Sequence, residues 1–267
     1  MGKVVLGVIG CGNMGSAIVK GIVDKHILSP KNICLNDKCA EKARSLSKKT
    51  ACPVKNVFEM LKEADFLLIA IKPQEFSTFS KEISNAVRPG TTVISIMAGV
   101  SINTIVQKFG KKLPVARVMP NLGAIVSESM TCISYNGKVP RKSFIKNIFG
   151  SIGKVIEVKE NKMDAVTALA GSGPAYLFYL ADSMIEAARE HGFDKKASDE
   201  LVIQTLYGAS VILRHTAHRA GSLIHKVASK GGTTEEALKV FNEGGKRALI
   251  KKAIHQAKKR SKELSRG

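Results

Sequence analysis

The chain has 267 residues, 44% of them apolar, which is enough for one large or two smaller packed domains and excludes a disordered polypeptide. Its 42 Lys and Arg against 22 Asp and Glu give a formal charge of +20, a field that favours nucleotide cofactors, carboxylates or nucleic acid without choosing among them. The five cysteines (Cys11, Cys34, Cys39, Cys52 and Cys132) are odd in number and form no Cys-x-x-Cys pair, so paired disulfides and a metal site are not expected, and a reducing cytoplasm is the expected setting.

Residues 1–158 alternate short apolar runs with helical patterns. Val4–Ile9 reads as a buried strand, followed by Gly10-Cys11-Gly12-Asn13-Met14-Gly15 and a helix through Ser16–Asp24. A Gly-x-Gly-x-x-Gly between a strand and a helix is the context that dinucleotide binding requires. The first glycine permits the tight turn, the second lets backbone approach a pyrophosphate, and the third lets helix and strand pack closely. No signal peptide is expected ahead of this strand.

Ile33–Asn36 reads as the second strand and Ala40–Lys48 as a helix. Asp37 can accept from the 2′-hydroxyl of NAD(H), whereas Asn36, Lys38 and Arg44 can hold a 2′-phosphate. The Asn before the acid and the Lys after it tilt the reading towards NADPH, with NADH as the alternative.

Phe66–Ile71 is a continuous apolar run typical of a parallel strand covered on both faces, stopped by Pro73. Its end, Ala70-Ile71-Lys72-Pro73, lies where ligands of open α/β sheets bind, and Lys72 can reach a ribose or phosphate. Thr92–Ile96, Val115–Met119, Thr131–Tyr135 and Val155–Val158 are further strands, and Ile102–Phe109 is a helix. The small residues Ala98 and Gly99 leave room for a flat nicotinamide ring, and Asn121 offers a polar anchor. Strand-helix alternation of this kind implies a doubly wound α/β sheet.

From residue 159 to 267 every segment reads as helix: Val166–Ala170, Pro174–His191, Ala197–His215, Gly221–Val227, Thr234–Glu243 and Lys246–Leu264. Gly171-Ser172-Gly173-Pro174 breaks one helix and starts the next. An all-helical domain of this size with few aromatics needs a partner to cover its apolar faces, so a homodimer is expected. No run approaches the ~18 apolar residues of a membrane span. The tail from Lys246 carries nine Lys or Arg and one Glu. It lacks the aromatics that stack bases, so it reads as a solvated helix face and nucleic acid is not the expected partner.

Ser229-Lys230-Gly231-Gly232-Thr233-Thr234 interrupts the helices. Thr233 and Glu236 fit a capping box, and a helix start presents free amides to an anion such as a small carboxylate. No Ser-His-Asp order or acidic pair stands out. A cyclic imine dispenses with a strong general acid, because its nitrogen is readily protonated in water and the iminium is already electrophilic.

These residues resemble the pyrroline-5-carboxylate reductase family over nearly the whole chain. The resemblance rests on Gly10–Gly15, Ala70–Pro73, Ala98-Gly99-Val100-Ser101, the block Asp164–Tyr176, and Ser229–Thr234 continuing through Glu236-Ala237-Leu238. It implies an N-terminal Rossmann domain and a C-terminal helical domain that interlocks two subunits, with dimers assembling into decamers. It also implies reduction of 1-pyrroline-5-carboxylate to L-proline. Ser229, Gly232, Thr233 and Thr234 would bind the substrate carboxylate, with Thr234 near the ring nitrogen. Gly10–Gly15, Asn36, Asn56 and Ala70–Pro73 would bind the cofactor, with Asn121 near the nicotinamide. Two departures mark this chain: Lys230 stands where family members usually have Pro, and Arg219-Ala220 follows His218 where many carry His-Pro. Two alternatives remain at this stage: reduction of a related small imine or keto acid on the same scaffold, and a non-catalytic nucleotide- or RNA-binding protein.

Overall fold

A computed structural model describes residues 4–264; the extreme ends of both expected domains, including Arg266 of the basic tail, lie outside the described residues. Seven strands form one sheet: β1 (Leu6–Ile9), β2 (Ile33–Asn36), β3 (Phe66–Ile69), β4 (Thr92–Ser95), β5 (Val115–Met119), β6 (Ser129–Tyr135) and β7 (Gly153–Glu157). Their spatial order is β2-β1-β3-β4-β5-β6-β7. All neighbouring pairs are parallel except β5 and β6. The short 3-10 turn Leu122–Val126 joins these two, too short for a crossover, so β6 returns antiparallel.

The helices between strands are α1 (Asn13–Asp24), α2 (Ala40–Thr50), α3 (Val57–Glu63), α4 (Pro73–Ile83), α5 (Ile102–Phe109) and α6 (Lys142–Gly150). Side chains alternate across the sheet with period two. Leu6, Val8, Phe66 and Leu68 pack with Ile18, Ile22, Ile145 and Phe149 of α1 and α6. Ile9, Leu67 and Ile69 pack with Met60, Phe76 and Ile105 of α3, α4 and α5. Burial on both faces explains the unbroken apolar runs; each fully buried Leu or Ile contributes about 1.5–3 kcal/mol.

Three of these helices were not legible as such. Pro73 ends the apolar run but opens α4, occupying a first-turn position where its missing N–H is not needed. Asn56 starts α3 by accepting the Phe58 N–H at 2.9 Å. α6 follows Arg141, whose φ of 52° is left-handed.

Beyond β7 the chain continues through α7 (Met163–Val166) and a π-helical turn, Thr167–Gly171, where a plain helix was expected. Then come α8 (Gly173–Glu190), α9 (Lys195–His215), α10 (Ala220–Val227), α11 (Thr233–Glu243) and α12 (Lys246–Leu264). Two compact units emerge. One holds Met1–Ser172 with Ala257–Gly267; the other holds Gly173–Gln256. Strand content ends at Glu157, beside the expected boundary at 158, while the first unit also takes in α7, the π turn and the end of α12. In the helical unit α8, α10 and α11 bury no residue within the chain, and Leu177, Phe178, Tyr207, Val240 and Phe241 are exposed.

Candidate active site

The strand order reverses direction between β1 and β3, which makes their carboxyl ends the topological switch point of the sheet. Gly10–Gly15 and Ala70–Pro73 meet there. Gly10 has φ of 100°, and a Cβ on it would stand 2.5 Å from the Ala70 carbonyl oxygen. A Cβ on Gly15 would lie 2.0 Å from the Gly10 carbonyl oxygen. These two glycines are therefore needed for packing. Gly12 differs: an added Cβ would meet nothing within 4 Å. It is the N-cap of α1, and it borders a cleft of about 750 Å³ shared with Cys11, Asn13, Ser16, Lys20 and Lys42. The first-turn amides of α1 and the open space before Gly12 fit a pyrophosphate. Met14 and Asn13 begin α1 behind it. Burial, with Asp37 and Cys52 adding, pushes the Cys11 thiol up to about 12, so this loop position stays neutral.

The end of β2 is tied to the same loop. The Gly10 N–H donates to the Asn36 carbonyl at 2.8 Å, and the Asn36 side-chain amide donates to the Lys55 carbonyl at 2.8 Å. Asp37 Oδ2 accepts the Cys11 N–H at 2.7 Å, and its Oδ1 accepts the Cys39 N–H at 2.8 Å. Lys38 is exposed and bonds Glu75 of α4, which raises the ammonium above its ordinary value and lowers the Glu75 carboxyl. Ile71 and Lys72 lead into α4, with Lys72 as its N-cap. Asn56 uses its side-chain oxygen to cap α3.

The later strand ends are more committed to structure than their composition suggests. Gly99 has φ of 74°, and a Cβ there would approach Leu264 Cβ of α12 to 2.8 Å. Gly99 has no room for a side chain because α12 ends against it. Asn121 accepts the Gly123 N–H at 3.1 Å and donates to the Ala170 carbonyl at 3.0 Å, fastening the 3-10 turn to the π turn. A Cβ on Gly171 would meet the terminal methyl of Met119 at 2.5 Å, so the π turn packs against that flexible side chain.

One cluster escaped the sequence reading. Arg117, in the middle of β5 and buried, pairs with Glu160 at 2.9 Å and Asp164 at 3.7 Å, and Asp164 accepts from the Ser261 hydroxyl at 2.8 Å. A lone Arg within the apolar run Val115–Met119 is the signal that could have exposed it, because a buried cation requires anionic partners.

In the helical unit, Ser229–Thr234 links α10 to α11. Gly231 takes φ of 72°, and the Gly232 N–H donates to the Ser229 carbonyl at 3.0 Å. A Cβ on Gly232 would meet Ser229 Oγ at 2.5 Å, so this glycine permits the turn. The expected capping box of Thr233 and Glu236 does not form. The helix starts one residue earlier than that pattern requires: Gly232 is the N-cap, Thr233 and Thr234 fill the first turn, and Glu235 accepts the Gly231 N–H at 2.6 Å. Glu236 instead pairs with Lys239 at 2.6 Å. Ser229, Thr233 and Thr234 thus place three hydroxyls around one helix N-terminus, with Lys230 exposed beside them.

A glycine loop at the switch point of a doubly wound sheet, joined in one chain to a helical unit of this kind, defines an oxidoreductase of the nicotinamide-dinucleotide class. Two family profiles match: residues 5–99 fit "NADP oxidoreductase coenzyme F420-dependent", and residues 160–264 fit "Pyrroline-5-carboxylate reductase dimerisation". The chain is 36% identical over 265 residues to a pyrroline-5-carboxylate reductase of Methanosarcina acetivorans, covering 98% of each chain. It is 33% identical to pyrroline-5-carboxylate reductase 2 of Bacillus subtilis, covering 97% of this chain and 94% of that one. A solved pyrroline-5-carboxylate reductase from Coxiella burnetii superposes with a TM-score of 0.90 at 31% identity over 99% of both chains. One from Plasmodium falciparum, solved with NADP bound, superposes with a TM-score of 0.89 at 27% identity. The chain belongs to the pyrroline-5-carboxylate reductase family.

Proposed function

We propose that this chain reduces 1-pyrroline-5-carboxylate to L-proline, using NADPH, with NADH as an alternative. The observation that carries the reading is similarity over 98% of the chain to a pyrroline-5-carboxylate reductase, in a chain that holds both a glycine loop at the switch point and the Ser229–Thr234 loop. When bound, the cofactor supplies a hydride from nicotinamide C4 to ring carbon C5. The chain's own part is positioning and electrostatics. Gly10, Cys11, Gly12, Asn13, Met14 and Gly15 hold the pyrophosphate. Asn36, Lys38, Asn56 and Ala70–Pro73 border the rest of the dinucleotide, with Ala98, Gly99 and Asn121 towards the nicotinamide end. Ser229, Gly232 and Thr233 hold the substrate carboxylate on hydroxyls and helix amides. The Thr234 hydroxyl bonds at the ring nitrogen, whose proton is present already or comes from solvent.

Residues 1–158 serve as the dinucleotide-binding domain and 159–267 as the dimerisation and substrate-binding domain. The exposed apolar side chains of α8, α9 and α11 and the match to a dimerisation family support a homodimer; further assembly of such dimers into decamers belongs to the same reading. Among the described residues no helix is long and apolar enough to cross a membrane, and a cytoplasmic location fits a chain whose five cysteines are all unpaired.

The test is NADPH oxidation followed at 340 nm with 1-pyrroline-5-carboxylate, run beside its six-membered-ring homologue. Turnover of the five-membered ring with weak use of the homologue is expected. No oxidation with either imine would overturn the reading.

A further inference from the structure

We propose that Glu235 is a positioning residue of the Ser229–Thr234 loop: its carboxylate holds the loop in the shape that receives the substrate, without itself touching the substrate. The proposal rests on that loop being the substrate-carboxylate site. Gly231 stands at φ of 72°, a conformation that glycine permits but does not enforce, and a Gly-Gly pair leaves the backbone much freedom to lose. Burial within the chain restrains the loop little: Ser229, Lys230, Gly231 and Thr233 are exposed, and Gly232 and Thr234 are half-buried. Its order comes from hydrogen bonds. The Gly232 N–H donates to the Ser229 carbonyl at 3.0 Å and closes the turn on itself. The Gly231 N–H donates to Glu235 Oε2 at 2.6 Å and ties the turn to α11.

The two bonds do different things. The first fixes the curvature of the turn; the second fixes its orientation against the helix whose first residues are Thr233 and Thr234. A carboxylate held here needs hydroxyls and helix amides to converge. A loop that samples other shapes loses apparent affinity in proportion to the time it spends in them. Glu235 also works against binding, because it is an anion beside an anion site and it occupies the Gly231 donor. Lys230, exposed one residue before Gly231, sets a cation against that charge. The neighbouring acid, Glu236, is directed along the helix to Lys239 at 2.6 Å. Glu235 thus has two effects of opposite sign, ordering the loop and repelling the ligand, and two substitutions separate them. Glu235→Gln keeps an acceptor oxygen and removes the charge. Glu235→Ala removes both.

The test is steady-state NADPH oxidation with 1-pyrroline-5-carboxylate by the full chain and both variants. It is run beside urea unfolding and limited trypsin digestion, with cleavage of the Lys230–Gly231 bond read by mass spectrometry. Glu235→Ala should raise KM for the imino acid about three- to tenfold, keep kcat within about twofold and hasten that cleavage several-fold. Glu235→Gln should restore the cleavage rate and bring KM to the wild-type value or below it. A role confined to the helix gives another pattern: an acid in the first turn favours α11 through the helix dipole, and both variants lose that equally. Equal falls in unfolding midpoint with KM unmoved would overturn the proposal. So would an equal fall in KM in both variants, which would leave Glu235 only its repulsion. Wild-type turnover with an unmoved KM in Glu235→Ala defeats this proposal alone, whereas a wild type that turns over no imine defeats the reading of the loop and the proposal with it.

Discussion

Arg117 Nη1 meets Glu160 Oε1 at 2.9 Å, and that same oxygen accepts the Ile102 N–H at 3.1 Å. One carboxylate thus fastens β5, the start of α5 and the segment after β7. Asp164 and Ser261 extend the tie to α12. Arg117→Leu fits the strand's apolar character but strands two acids. Because Glu160 and Asp164 are only partly buried, the expected loss is about 2–3 kcal/mol, below the full cost of breaking a buried pair. Urea unfolding at fixed protein concentration measures it, and a loss within error of zero would contradict the buried-network account.

The glycines of the first loop divide into packing and ligand roles, and two substitutions separate them. Gly15→Ala drives a Cβ to 2.0 Å from the Gly10 carbonyl and should lower stability by about 1–3 kcal/mol. Gly12→Ala meets open space, so the unfolding midpoint should hold while NADP⁺ affinity falls about tenfold or more. Unchanged binding in Gly12→Ala would detach the cleft from the cofactor.

Thr234→Ala removes the hydroxyl assigned to the ring nitrogen. A hydrogen bond to a charged group is worth roughly 1.5–3 kcal/mol, so kcat should fall about tenfold to a hundredfold. NADPH affinity, read by fluorescence titration, should stay within about twofold. Unaltered turnover would count against the assignment.

Lys230 is exposed in a loop proposed to hold a carboxylate. Lys230→Ala should raise KM for the imino acid a few-fold, about 2–5, with kcat unchanged, and the difference should shrink in high salt. The same variant assayed on the six-membered homologue shows whether this charge contributes to ring preference. A KM that does not move at low salt would remove Lys230 from substrate binding.

Burial, helped by the negative charge of Glu157, pushes the Tyr135 hydroxyl up to about 12. Tyrosines ordinarily ionise near pH 10. Because the folded value is raised, the stabilisation it contributes is complete below about pH 10 and is lost as pH rises through about 12. Absorbance at 295 nm should show a late tyrosine step that disappears in Tyr135→Phe. A titration curve identical in the two proteins would contradict the buried placement.

Much of the fold was legible because its signals are local. A parallel sheet covered on both faces needs unbroken apolar runs, and Val4–Ile9 and Phe66–Ile71 show them. A glycine motif between strand and helix needs no distant partner to be read. The loop Ser229–Thr234 was legible for the same reason: two glycines in a helical stretch demand a turn. What the tertiary structure alone decided depends on atoms far apart in the chain. Asp37 could be read as a ribose acceptor, but only the fold shows both its oxygens held by Cys11 and Cys39. Gly99 suggested room for a ring, and the fold places Leu264 against it. The capping pattern of Thr233 and Glu236 gave way to Glu235 on Gly231, because the left-handed Gly231 turns its N–H towards the first helical turn. Local backbone preference and side-chain periodicity are written along the chain; which buried charge meets which partner is settled only when the strands and helices come together.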